Sequence, residues 1–163
     1  MATTTDETKK ITLRTADNQQ FEVDEAIAME FVTVKTFFDE NPDAAQEPMP
    51  LPNVSAKCLS SIIEYCKERR SAKDDAGTFS DEFAKAMDSE SLKEMILAAN
   101  YLNIKDLLEM LNQAVADRIK NKSVEYVRRF FGIESDYSPE EEAKLRAENA
   151  WAFDGVDPDD DDF

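Results

Sequence analysis

Two consecutive stretches of helical apolar periodicity, residues 92–102 and 104–119, constrain the fold of this chain more than any other feature. Apolar residues spaced three and four positions apart lie on one face of a helix, so each stretch predicts an amphipathic helix with a buried side. The apolar positions are Leu92, Met95, Ile96, Ala99 and Leu102 in the first stretch, and Ile104, Leu107, Leu108, Leu111, Val115 and Ile119 in the second.

A small amount of β structure is predicted ahead of these helices. Residues 11–15 and 21–23 alternate between apolar and polar side chains, and a turn-rich stretch at 16–19 separates them, which predicts a β-hairpin. The alternate prolines of residues 48–52 exclude a central strand, because proline has no N–H to donate, but they allow a short edge strand at 49–51. The fold class is therefore α+β, a small sheet with a helical cluster.

Two capping side chains predict short helices after the hairpin. Asp24 is expected to begin a helix that ends at Glu30, and Thr33 is expected to begin the next one. The second of these helices would bury Val34, Phe37 and Phe38.

Ser55 or Asn53 is expected to begin a longer helix, whose apolar face is formed by Cys58, Leu59, Ile62, Ile63 and Cys66. Residues 67–91 are charged and poor in apolar side chains, so they predict a solvated connection with partial order at 79–87.

Composition excludes several classes of function. The chain has 19 Lys and Arg against 36 Asp and Glu, a net charge of −17, which disfavours nucleic acid and anionic membranes as partners. It contains no histidine, so a Ser–His–Asp triad, a Cys–His dyad and a histidine-containing zinc site are impossible. The scattered glycines form no phosphate-binding loop. The acidic runs do not form an enclosed acid–base pair, and the aspartates after residue 153 do not match a calcium loop. No catalytic residue, metal site or cofactor is expected.

The cysteines and the N-terminal residues indicate the compartment. Cys58 and Cys66 lie eight positions apart on a predicted helix, a separation of about 12 Å that is too long for a disulfide. Unpaired thiols are typical of a reducing compartment. Residues 1–10 are polar and resemble no signal peptide, so we expect a flexible N-terminus and a location in the nucleus and cytoplasm.

The last forty residues carry two predicted helices and an acidic tail. Residues 123–131 predict a short helix with Val124, Val127, Phe130 and Phe131 inward, ended by Gly132. Ser138-Pro139-Glu140-Glu141 predicts a second start, with serine at the N-cap, proline at N1 and glutamate at N3. Residues 154–163 hold six aspartates and predict a disordered tail.

This C-terminal segment is rich in large apolar side chains. They are Phe130, Phe131, Ile133, Tyr137, Leu145, Trp151 and Phe153. Two short helices cannot bury so many rings between themselves. Either the rings pack back on the rest of the domain, or they form a groove for a partner, and their spacing favours neither alternative.

Several strings of residues, in this order along the chain, resemble one known family. They are Leu51-Pro52-Asn53-Val54, Ile63-Glu64-Tyr65-Cys66-Lys67, Ile96-Leu97-Ala98-Ala99-Asn100-Tyr101-Leu102-Asn103-Ile104-Lys105, Val115-Ala116-Asp117, Ser138-Pro139-Glu140-Glu141-Glu142 and Arg146-Ala147-Glu148-Asn149-Ala150-Trp151. Together they are similar to the S-phase kinase-associated adaptors of SCF ubiquitin ligases, over residues 10–151.

The resemblance implies a BTB/POZ domain over residues 11–121, with an acidic linker around 68–91. It also implies an F-box-binding helical extension over residues 122–153. The implied function is that of an adaptor that joins a cullin to F-box substrate receptors for protein ubiquitination. The alternatives are an elongin-C-like BTB adaptor, or an acidic chaperone of basic proteins.

The resemblance also implies two partner surfaces. The cullin-binding residues would be Asn100, Tyr101, Pro50, Leu51, Pro52 and Asn53. The F-box-binding residues would be Leu92, Ile96, Ala99, Leu108, Val115, Val127, Phe130, Phe131, Ile133, Tyr137, Leu145 and Trp151. One departure from the family pattern is Asn121-Lys122-Ser123-Val124-Glu125-Tyr126, which lacks the usual N1 proline and predicts a shifted start of the first extension helix.

Overall fold

The computed structural model describes residues 9–72 and 76–157, which form two compact units. The first unit extends to Asn112 and the second begins at Gln113, so the division falls nine residues before the predicted boundary at 121/122. The predicted flexibility of residues 1–10 and disorder of residues 154–163 fall largely on positions outside the described residues.

The first unit opens with a three-stranded sheet in the order β2-β1-β3. β1 (Lys10–Thr15) pairs antiparallel with β2 (Gln20–Asp24) and parallel with β3 (Met49–Leu51). Leu13 lies opposite Phe21 in β2 and opposite Met49 in β3. The predicted hairpin and the proline-flanked edge strand are both confirmed.

The hairpin turn is fastened to the start of α3 (Ala56–Ser71). The Ala16 N–H donates to the carbonyl of Val54 at 2.9 Å, and the Ala56 N–H donates to the Asp17 carboxylate at 2.9 Å. The pKa of Asp17 is lowered, first by a hydrogen bond from the Thr15 side chain and further by the one from Ala56. These bonds join the sheet to the helix by satisfying a backbone donor at the helix start.

Ser55 is the N-cap of α3, since its hydroxyl accepts a hydrogen bond from the Cys58 N–H at 3.3 Å. Of the two predicted caps, Ser55 rather than Asn53 is therefore correct. The predicted apolar face is also confirmed, because Cys58, Leu59, Ile62, Ile63 and Cys66 are all buried.

The two short helices after the hairpin differ from prediction. α1 spans only Glu25–Ala28, and the Asp24 side chain makes no capping hydrogen bond. α2 (Val32–Glu40) begins one residue before Thr33, whose hydroxyl bonds elsewhere, so its predicted capping role is wrong. Val34 is buried, but Phe37 and Phe38 are only half-buried and meet edge to face at 5.2 Å. A 3-10 helix, Pro42–Gln46, leads to β3.

The prediction of a solvated connection over residues 67–91 is wrong in extent. α3 continues to Ser71, α4 spans Ala76–Lys85, and α5 begins at Ser89. Phe79 and Phe83 lie one turn apart on α4 and approach the Tyr65 ring with centroid distances of 5.9 and 5.0 Å. This aromatic contact with α3, which sequence spacing does not reveal, stabilises α4 despite its polar flanks.

The two strongest predicted helices are confirmed as α5 (Ser89–Leu102) and α6 (Lys105–Ile119). Asp88 caps α5 by accepting a 2.7 Å hydrogen bond from the Ser91 N–H, which lowers the pKa of that carboxyl. The side chains that these helices bury are Leu92, Met95, Ala98, Ala99, Leu102, Leu107 and Leu111.

The second unit contains the end of α6, followed by α7 (Val124–Phe131), α8 (Pro139–Glu148) and a 3-10 helix, Ala150–Phe153. Ser123 caps α7 by accepting a hydrogen bond from the Tyr126 N–H at 3.0 Å. The helix therefore begins where the residue spacing predicts, and the shift expected from the missing proline does not occur. Gly132 ends it with φ of 65° and ψ of 34°, the left-handed conformation that glycine adopts without strain.

The inward face of α7 differs from prediction. Tyr126 and Phe130, one turn apart, are its buried residues, whereas Val124 and Phe131 are exposed and Val127 is half-buried.

The start of α8 is confirmed in detail. The Glu141 N–H donates to the Ser138 hydroxyl at 3.3 Å, and the Ser138 N–H donates to the Glu141 carboxylate at 2.9 Å. The second bond is the main cause of a lowered pKa at Glu141. This reciprocal capping box, with Pro139 at N1, fixes where the helix begins.

Candidate partner-binding surfaces

The C-terminal end of α5 presents apolar and amide side chains to solvent. Asn100 is exposed and Tyr101 is half-buried. Leu97, one turn before Tyr101, is 69% exposed, although α5 buries five other side chains. Val32, at the start of α2, is also exposed. We call Val32, Leu97, Asn100 and Tyr101 the α5 surface.

A hydrogen bond between helices supports the α5 surface. The Thr33 hydroxyl donates to the carbonyl oxygen of Tyr101 at 2.6 Å. Asn103, with φ of 55°, ends α5 in the left-handed conformation. The bond from α2 therefore ties Tyr101 to a second element of the first unit.

The proline-rich segment gives a mixed outcome. Pro50, Pro52 and Asn53 are exposed, as a contact role requires. Leu51 is fully buried because its position in β3 directs it into the core. The prediction that Leu51 contacts a cullin is therefore wrong in this structure.

The second unit exposes several large apolar side chains. Trp151 is 76% exposed and Ile133 is 56% exposed. Within residues 113–157, the exposed large apolar side chains, which we call the extension surface, are Val124, Phe131, Ile133, Tyr137, Leu145 and Trp151. These six side chains are therefore surface residues rather than core residues.

Three predicted F-box-binding residues are core residues instead. Leu92 and Ala99 are fully buried and Phe130 is 1% exposed, so none of them offers a contact area. Periodicity identifies the apolar face of a helix, and the most central positions on that face are the ones that the fold encloses. The remaining predicted positions, which are half-buried, are Ile96, Leu108, Val115 and Val127.

Ion pairs join the two helices of the extension. Arg128 on α7 donates to the Glu142 carboxylate on α8 at 2.6 Å, and Arg146 on α8 pairs with Glu125 on α7. Arg146 also lies 5.3 Å from the centroid of the Phe153 ring. The hydrogen bond from Arg128 is the main cause of a lowered pKa at Glu142. These contacts hold α7 and α8 together through charged side chains.

Sequence reasoning missed Leu97 and Val32 as surface residues. Leu97 lies between Ile96 and Ala99 and does not belong to the periodic apolar face of the helix. This position off the face could have indicated that Leu97 is exposed. Val32 had no signal, because its exposure depends on where α2 begins.

The thiols are poor nucleophiles. Cys58 and Cys66 are buried and unpaired, and burial raises the pKa of both, that of Cys66 to about 11. Cys58 lines a cavity of about 260 Å³ beside Glu94, whose carboxylate lies 3.8 Å from the sulfur and disfavours the thiolate further. A protonated thiol at neutral pH does not attack.

The described residues contain neither a candidate metal centre nor a candidate membrane span. Within residues 9–72 and 76–157, no three Cys, Asp or Glu side chains are grouped so that they could hold a metal ion. In the same part of the chain, no helix is both long and apolar enough to cross a bilayer.

The fold and its surfaces define a class: a BTB/POZ-like domain with a helical extension, built to hold other proteins rather than to catalyse. Residues 9–71 match the tetramerisation domain of the Skp1 family, and residues 105–152 match the dimerisation domain of the same family. This chain belongs to the Skp1 family. It is an SCF adaptor subunit and not an enzyme, and the elongin-C-like and chaperone alternatives are not favoured.

Similar proteins cover nearly the whole chain. SKP1-like protein 14 of Arabidopsis thaliana is 45% identical over 146 residues, 88% of this chain and 97% of that protein. SKP1-like protein 1A of the same plant is 44% identical, with 89% and 98% covered. SKP1-like protein 20 of Oryza sativa subsp. japonica is 42% identical, with 88% and 94% covered. Skp1 family proteins bind F-box proteins and a cullin in SCF ligases.

Proposed function

We propose that this chain binds a cullin through the α5 surface and an F-box protein through the extension surface. The observation that carries the proposal is Trp151, the only tryptophan in the chain, which is 76% exposed in a helical unit with a small buried core. Burying a ring of that size in a partner's pocket is about as favourable in free energy as burying it in a protein interior.

The α5 surface has the composition of an interface anchor. Tyr101 offers a ring and a hydroxyl, Asn100 offers an amide, and Leu97 offers an aliphatic side chain one turn away. Interfaces favour this mixture, because apolar area supplies affinity while the polar groups set the register. Pro50, Pro52 and Asn53 are exposed loop and strand-edge positions that extend the candidate cullin contact.

The extension surface suits an amphipathic helical partner such as an F-box. Its exposed side chains are large and closely spaced along the chain, and helix-in-groove recognition uses anchors of this kind. Phe131, Ile133, Tyr137, Leu145 and Trp151 keep the role predicted from sequence, and Val124 is added to them.

The proposed function fits a location in the nucleus and cytoplasm. Both cysteines are unpaired and buried, and unpaired thiols suit the reducing environment of those compartments. The net charge of −17 disfavours nucleic acid as a competing partner.

The test is reconstitution with a purified F-box protein and an SCF-type cullin. Leu97→Ala combined with Val32→Ala should weaken cullin binding alone, and Ile133→Ala combined with Leu145→Ala should weaken F-box binding alone. Selective loss at each surface supports the assignment. A variant that weakens the opposite partner, or neither partner, would refute it.

A further inference from the structure

Three of the last four carbonyl groups of α5 accept hydrogen bonds from outside the helix. The last four carbonyls of a helix have no partner within the helix and must find one elsewhere. The Ile104 N–H donates to Ala99 at 3.0 Å and the Asn103 N–H donates to Asn100 at 3.1 Å, the pattern of a left-handed helix ending. The next carbonyl, that of Tyr101, accepts from the Thr33 hydroxyl at 2.6 Å.

This third bond comes from another helix. Thr33 lies in the first turn of α2, 68 positions before Tyr101, and is half-buried. The two bonds from Asn103 and Ile104 fix the carbonyls of Ala99 and Asn100 from the connection that follows α5. The Thr33 bond couples the Tyr101 carbonyl to the first turn of α2.

We infer that Thr33 is a positioning residue for cullin binding, which acts by holding the backbone of Tyr101. The inference rests on the proposed cullin role of Asn100 and Tyr101. The hydroxyl restrains the last turn of α5, so that the side chains of Asn100 and Tyr101 are presented in one orientation before the partner arrives. Preorganisation of this kind raises affinity by increasing the fraction of molecules that are competent to bind.

Thr33→Val tests this idea, because valine keeps the shape of threonine and removes the donor. With the hydrogen bond, most molecules hold Tyr101 in the orientation that binds the cullin. If only about a tenth of the molecules hold that orientation without the bond, the apparent cullin affinity falls about tenfold. The loss should appear mainly as slower association, since the complex, once formed, keeps its contacts. Thr33→Ser retains the hydroxyl and should restore most of the affinity.

The matched control is Thr36→Val, which makes the same change at an exposed position of α2. It should bind the cullin as the unchanged chain does. F-box affinity should remain unchanged in all three variants, because the extension is not altered. If Thr33 only stabilised the fold, Thr33→Val would lower the affinities for both partners. It would also show no selective decrease in the rate of cullin association.

The double variant Asn100→Ala, Tyr101→Ala separates the inference from the proposed function. If the double variant binds the cullin normally, the α5 surface is not the cullin site and the inference fails with it. If the double variant loses cullin binding while Thr33→Val binds normally, the inference alone is overturned. Equal loss of cullin and F-box affinity in Thr33→Val would also overturn it.

Discussion

Arg128 and Glu142 form an ionic contact between the two helices of the extension, with Nη1 of the arginine 2.6 Å from Oε1 of the glutamate. Both side chains are about a quarter exposed, so solvent screens the pair only in part. Every residue of α8 is described, and none of them is buried. The ion pairs therefore contribute to the position of α8 against α7.

Glu142→Gln should loosen α8 without unfolding the chain. The variant keeps the shape of the side chain and removes the charge that pairs with Arg128 and Arg146. Amide hydrogen exchange in α8 should become several-fold faster, while exchange in α5 stays unchanged. Glu148→Gln is the control, since its ion pair with Lys144 is longer, 3.9 Å, and more exposed. Equal effects of the two variants would contradict a specific role for Glu142.

The same contact predicts a pH dependence. The pKa of Glu142 is lowered by the hydrogen bond from Arg128, and then by the second hydrogen bond from Arg146. Because the pKa of Glu142 is lowered in the folded state, its ionised carboxylate contributes to stability at pH values above the ordinary pKa of 4.5. This stabilisation is lost as the pH falls through the lowered pKa. Protection of α8 amides should therefore be constant near neutrality and decline only in acid. The decline should be smaller in Glu142→Gln but not absent, because Glu141 in the capping box also has a lowered pKa and still titrates.

Replacing both Asn100 and Tyr101 with alanine should weaken cullin binding by more than about 2 kcal/mol, because truncating a ring and an amide at an interface centre removes anchor contacts. F-box affinity should be retained. Isothermal titration against each partner measures both quantities. Unchanged cullin affinity would exclude the α5 surface as the cullin site.

Trp151→Ala should cost roughly 2–4 kcal/mol of F-box affinity, the range for an aromatic anchor. Because the side chain is 76% exposed, its removal creates no cavity, and the melting temperature should change little. Leu97→Ala, which removes a similarly exposed side chain of the other unit, is the control and should keep F-box affinity. A Trp151→Ala variant that unfolds would show that the ring is structural.

Cys66 should resist alkylation in the native protein. Its pKa is raised to about 11, first by burial and then by the charge of Glu30. Iodoacetamide at neutral pH should therefore modify it only when the chain unfolds, and rates should match those of global opening.

The neutral thiol also favours the folded state fully below the unfolded pKa of 9.0, and this contribution is lost as the pH rises through about 11. Rapid labelling of the folded chain would contradict this assignment.

Local chemistry was enough to predict much of the secondary structure. The alternation around Leu13, the capping serines Ser55 and Ser138, and the stop at Gly132 each depend on neighbouring residues alone. The periodicity of α5 and α6 likewise predicted both helices, because an apolar stripe can be stable only as a buried helix face. The family resemblance, carried by ordered strings of residues, indicated the adaptor function.

Tertiary contacts decided what the spacing left open. Whether an apolar side chain is core or surface depends on what covers it, so Leu92, Ala99 and Phe130 are enclosed while Leu97 and Trp151 are not. α4 depends on the contact of Phe79 and Phe83 with Tyr65 in a different helix. The Thr33 hydroxyl could have capped its own helix, but it bonds to Tyr101 instead, because folding brings that carbonyl within 2.6 Å. Sequence determines which groups can bond and pack, whereas only the folded chain determines which of them meet.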